Sequence, residues 1–270
     1  MRITDCHAHI YPEKIAQKAS DSIGSFYSMK MAYNGSCEQL LEAGSRAGVS
    51  RYWVHSVATA PHQVRSINDF IAAQCAQHPE FIGFGTIHPD ADIEAEVEHM
   101  IELGLCGVKI HPDFQKFFID EERALPIYDC IAGRLPILVH MGDWRYQYSH
   151  PSRMARVLDM FPRLDCVGAH MGGLTLYEEA LETLGKRRCR VDISSTFGFV
   201  KDTDYLKKLV GRWGAERILF GSDYPMWDAS SELEKLLKLG LSDGDTEKIL
   251  SLNAEDVIKN CSVNAAKANL

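Results

Sequence analysis

The sequence predicts an α/β fold, a (β/α)8 barrel. Eight short β-branched runs alternate with amphipathic stretches along 270 residues. That length suits one such barrel as a single domain over 1–270. Polar residues also collect where the runs end, and a barrel builds its active site at that edge. A doubly wound open sheet is the competing arrangement.

The runs, in order, are "RITDCHAH", "RYWVHSVA", "FIGFGTIHP", "CGVKIHP", "PILVHMG", "DCVGAHMGG", "CRVDISS" and "RILFGSDYP". Helix signals separate them. "SCEQLLEAGSRAG" offers Ser36 as N-cap, Gln39 at capping-box spacing and Gly48 as a stop. "HQVRSINDFIAAQCAQHP" ends before Pro79. "DIEAEVEHMIELG" has acids early and Gly104 at its end. Residues 11–35 break the rhythm. They are too long for a plain first βα loop, so they predict a distortion of the barrel: a lid or a capping helix over the catalytic edge.

Composition excludes several function classes. The net charge is −8 and no basic patch stands out, which argues against a nucleic-acid partner. No apolar run reaches the roughly 18 residues that a membrane span needs. The first predicted strand begins at once, so no signal peptide is expected. The eight cysteines form no CxxC pair and are expected to be free thiols in a cytoplasmic, reducing setting.

Histidine placement points to chemistry. Of eleven histidines, seven sit on the predicted strands: His7, His9, His55, His88, His111, His140 and His170. His7 and His9 form an HxH pair, which on a strand projects to one face. Imidazole is a common zinc ligand, and imidazole with carboxylate also suits manganese or iron. Lys109 and His111 share strand four, and Asp223 closes strand eight. His55 and His88 are expected to be satisfied core histidines. Gly172 and Gly173 in "MGGLTLYEEA" are read as a tight turn rather than a phosphate site.

The ordered set "DCHAHIYP", "GVKIHPDFQ", "ILVHMG", "GAHMGG" and "LFGSDYP" resembles the amidohydrolase superfamily. It is most similar to the branch of TIM-barrel metal-dependent hydrolases that also holds metal-dependent decarboxylases. The resemblance runs from Asp5 to about Asn253. It implies His7, His9, His140 and Asp223 as metal ligands. His170 is either a further ligand or a free group that polarises the substrate or moves a proton. Asp223 also serves as the catalytic acid/base. Lys109 corresponds to a lysine that binuclear members carbamylate to bridge two ions; a plain ammonium would instead bind a substrate carboxylate. The implied cofactor is a divalent metal, zinc first, one ion or two.

The remaining expectations concern substrate. His111, Arg145 and Trp227 are candidate substrate contacts beside Lys109; Arg145 could equally pair with a nearby acid. The resemblance implies hydrolysis of an amide, lactone or ester in a small, carboxylate-bearing molecule. Non-oxidative decarboxylation uses the same residues and is the alternative. A non-catalytic metal-binding barrel would predict a damaged ligand set, and none of the expected positions is vacant. Members of the branch are often homodimers, and "FYSMKMAY" could cover an interface or close over the pocket.

Overall fold

The computed structural model describes residues 2–259. Its strands are β1 (Thr4–His9), β2 (Arg51–His55), β3 (Phe81–Thr86), β4 (Gly107–Ile110), β5 (Ile137–Val139), β6 (Cys166–Gly168), β7 (Cys189–Asp192) and β8 (Ile218–Leu219). They pair in sequence order, all parallel. The ends join through the β1 backbone: Cys6 N donates to Phe220 O at 2.9 Å, and His9 N to Tyr224 O at 2.8 Å. The predicted TIM barrel is therefore the observed fold.

The helices are α1 (Glu13–Tyr27), α2 (Cys37–Arg46), α3 (Val64–Gln77), α4 (Ile93–Glu102), α5 (Pro112–Gln115), α6 (Leu125–Ile131), α7 (Pro151–Met160), α8 (Tyr177–Leu184), α9 (Thr196–Phe199), α10 (Thr203–Trp213), α11 (Ala229–Leu237), α12 (Asp243–Glu247) and α13 (Asn253–Ile258). α2 starts where Ser36 caps it, with Ser36 Oγ accepting from Gln39 N at 3.3 Å. The Gln39 side chain does not complete a capping box. It accepts from Asn34 N at 3.0 Å and so stiffens the approach to the helix. Asp92 caps α4 by accepting from Ala95 N, and Gly104 follows it at φ 74°.

Two apolar layers hold the barrel. Ile71, Val97, Val157 and Leu209, with others, fill the space between strands and helices. Inside, Cys6, Trp53, Phe84, Leu138, Val167 and Leu219 pack with Val257 and Ile258 of α13, forming the floor under the histidines. Among the described residues Cys6, Cys37, Cys130, Cys166 and Cys189 are free thiols. Cys106 is disulfide-bonded, which corrects the expectation of free thiols throughout; Cys261 lies outside the described residues. Among the described residues no helix is long and apolar enough to cross a membrane.

The irregular stretch after β1 is a helix laid over the open edge. α1 buries Ala16, Ser20 and Gly24 against the molecule. Phe26 meets Phe114 edge to face at 4.6 Å. Arg145 Nη1 donates to Phe26 O at 2.5 Å, pinning the end of the helix.

Candidate metal centre and catalytic edge

β1 carries one residue more than β2 between its paired positions: Asp5 faces Tyr52, but Ala8 faces Val54. The bulge falls on the stretch that holds His7, and bulges re-aim side chains beside active sites. The outcome is that His7 Nε2 and His9 Nε2 lie 3.3 Å apart. Asp223 Oδ1 is 3.4 Å from His7 Nε2 and 3.7 Å from His9 Nε2. All three residues are at least nine-tenths buried.

Asp223 stands four residues past the short β8 rather than at its end. A backbone bond to β1, Asp223 N to His7 O at 2.9 Å, carries it there. Its φ is 62°, and that of His170 is 58°. Positive φ in a residue other than glycine stores strain, and such residues cluster at functional sites. Asp5 braces the same join: its Oδ1 accepts from Ser222 N at 2.9 Å, and its Oδ2 accepts from Ser222 Oγ at 2.5 Å. Burial pushes the Asp5 carboxyl up to about 6.

A second grouping adjoins the first. His140 follows β5 and His170 lies just past β6. His140 Nδ1 and His170 Nε2 are 2.9 Å apart. His170 Nδ1 donates to Ser194 O at 3.0 Å, so its Nε2 presents a lone pair to His140. The sequence expectation placed His140 with His7, His9 and Asp223; in the structure its Nδ1 is hydrogen-bonded to His170 Nε2.

Lys109 is fully buried on β4, and its Nζ donates to His7 Nε2 at 3.0 Å. Burial lowers its pKa to about 8; Asp192 and Asp223 oppose that shift. His111 is stacked between Phe114 and His140, each at 3.7 Å. Its Nδ1 accepts from Phe114 N, so its Nε2–H donates to the Tyr27 hydroxyl at 3.0 Å. The imidazoles of His7, His9, His55, His111 and His140 are all held well below their usual pKa, by burial first.

The other substrate candidates are tied into the scaffold. Arg145 forks onto Asp143, with Nε to Oδ1 at 3.0 Å and Nη2 to Oδ2 at 2.7 Å. Its guanidinium lies over Phe26 at 4.4 Å and Tyr27 at 5.0 Å. Trp227 Nε1 donates to Ser195 Oγ at 2.8 Å, and Ser195 Oγ donates to Asp223 Oδ2 at 2.5 Å.

Sequence reasoning passed over strand seven, which supplies Asp192. Its Oδ2 accepts from His7 Nδ1 at 2.8 Å, and its Oδ1 accepts from the His170 and Ser194 amides at 3.1 and 3.0 Å. The available signal was "CRVDISS": an acid at the end of the only strand to which no polar role had been given. Tyr27 and Asp113 were missed for want of any local pattern. Burial raises Asp113 to about 7. His88 behaves as expected of a core histidine, its Nδ1 accepting from Asp90 N at 3.2 Å. His55 does not. Neither of its buried nitrogens has a hydrogen-bond partner among the described residues, and its ring meets His9 edge to face at 4.3 Å.

These donors fit a divalent cation. Asp192 takes the proton-bearing nitrogen of His7, so Nε2 faces the cluster as a lone pair, the arrangement that a carboxylate behind a metal-bound histidine imposes. The neighbouring His9 Nδ1 is an orphaned buried atom.

The amidohydrolase family profile matches residues 4–259. The chain belongs to that family. Its fold is also that of several solved proteins. An uncharacterised TIM-barrel protein of Bordetella bronchiseptica matches at TM-score 0.80 and 20% identity, over 97% of this chain and 99% of that one. A dihydroxybenzoic acid decarboxylase of Polaromonas, solved with manganese and 2-nitroresorcinol, matches at 0.71 and 16%, over 95% and 96%. A proposed 2-pyrone-4,6-dicarboxylic acid hydrolase of Pseudomonas putida matches at 0.67 and 18%, over 95% and 97%.

Proposed function

We propose that this amidohydrolase is a metal-dependent hydrolase of an ester, lactone or amide bond in a small carboxylate-bearing molecule. The observation that carries the reading is the placement of Asp223. One oxygen faces His7 and His9, and the other accepts from Ser195. A carboxylate held this way can take a proton from a nucleophilic water and return it to the leaving group.

His7, His9 and Asp223 would hold the first ion, and His140 with His170 would hold a second. A divalent ion, when bound, supplies Lewis acidity and lowers the pKa of coordinated water. The imidazole-rich donors favour zinc, with manganese as the other candidate. Lys109 decides occupancy. As an ammonium it occupies the His7 Nε2 lone pair and puts a positive charge there. Its lowered pKa leaves a neutral amine accessible, and a carbamate would replace that charge with a negative one. Tyr27 and α1 lie over His111 and His140 and keep bulk water from them.

The second reading is decarboxylation of an aromatic carboxylate. The decarboxylases that share this fold favour it, among them 2,6-dihydroxybenzoate and 5-carboxyvanillate decarboxylases. The test is to reconstitute the protein with zinc or manganese and assay two panels. Release of the carboxylate product from lactones, esters and amides supports hydrolysis. Carbon dioxide release from hydroxybenzoates, with the first panel inert, replaces that reading with the lyase.

A further inference from the structure

Two cavities meet at His9 on the catalytic edge. The one bounded by His9, His140 and Asp223 has a volume of only about 20 Å³. That is room for about one water molecule. The second has about 670 Å³ and lies between α1 and α3. His9, Ile23 and Phe114 border both.

The larger cavity is mainly apolar. Ala19 and Phe26 line it from α1, and Ile67 and Phe70 line it from α3. Its size lies in the range of small-molecule sites, which are mainly apolar with a few placed polar groups. Ser56 and Asp113 are its buried polar walls near His9. The charged residues on its exposed rim are Lys14 and Lys116, which favour approach by an anion.

We propose that the substrate is elongated. Its carboxylate-bearing reactive end sits at the histidine cluster, and an alkyl or arylalkyl chain lies in the cavity between α1 and α3. The proposal rests on the reading of the cluster as the reaction centre, and it adds the substrate class. The small void cannot admit more than the reacting atoms, and the larger cavity is the adjoining space that shares its walls. A compact hydroxybenzoate would leave most of that cavity unfilled.

The experiment is calorimetric titration of the zinc-loaded protein with butanoate, hexanoate, octanoate and decanoate. Affinity should rise about fourfold for each methylene that enters the cavity. Ala19→Trp fills the cavity from α1 and should flatten the series. Ser66→Trp fills it from α3 and serves where the first variant fails to fold, as judged by its thermal melt. A flat series in the wild-type protein overturns the proposal. So does an undiminished slope in the folded variants. Binding needs no turnover, which separates the two readings. A steep series with both reaction panels inert removes the reaction assignment and leaves the cavity assignment standing. Hydrolysis with a flat series does the reverse.

Discussion

Asp192 at the end of β7 accepts a hydrogen bond from His7 Nδ1 of β1 at 2.8 Å, inside a site where neither side chain is more than 1% exposed. One contact thus sets the tautomer of a ligand carried by another strand. Asp192→Asn keeps the shape and removes the charge that secures the Nδ1 proton. Metal affinity should fall about 10- to 100-fold, as read by competition with a chromophoric chelator. Unchanged affinity would show that Asp192 serves only the backbone of His170 and Ser194.

His9→Ala and His88→Ala form a contrasting pair. His9 faces His7 and Asp223, whereas His88 bonds its own loop. The first should lose bound metal and activity together. The second should retain both. Elemental mass spectrometry on protein purified without chelators gives the metal content, and an active, metal-free His9→Ala would refute the site.

Lys109→Met tests occupancy. It removes a buried ammonium from beside His7 Nε2 without shortening the side chain much. If a carbamate bridges two ions, the variant should bind about one ion where the parent binds two. The metal-free variant should be no less stable than the parent, because an unpaired buried charge gives way to an apolar stem of similar length. Two ions in the variant would end the bridging role.

Acidification should destabilise the metal-free protein. Burial holds five histidines well below their ordinary value of 6.5, so as the pH falls through 6.5 the unfolded chain binds protons there that the folded chain refuses. Asp5 and Asp113, raised to about 6 and about 7 from 3.8, act oppositely: the folded chain keeps protons there that the unfolded chain sheds. Five outweigh two, so stability rises with pH in this region, by roughly 1.4 kcal/mol per pH unit for each net proton. Chemical denaturation at pH 5 and pH 7 measures the difference, and greater stability at pH 5 would contradict it.

Much of the molecule was legible before any coordinates. The eight strands, the cap at Ser36, and the gathering of His7, His9, His140, His170 and Asp223 at one edge follow from alternation, turn residues and the rule that barrel sites form at strand ends. These features depend on neighbours in sequence, so local chemistry reveals them. The tertiary structure alone decided which donors face each other: His140 meets His170, Asp192 orients His7, and Lys109 reaches the lone pair of His7. It also laid α1 across the edge, tied Arg145 to the carbonyl of Phe26, and opened the cavity between α1 and α3. Each of these joins residues far apart in the chain, through a bulge in β1, an αL turn at Asp223 or the packing of one helix on another. Periodicity reports which face a residue occupies, but the direction and partner of a side chain are set by strand register and by what packs against it.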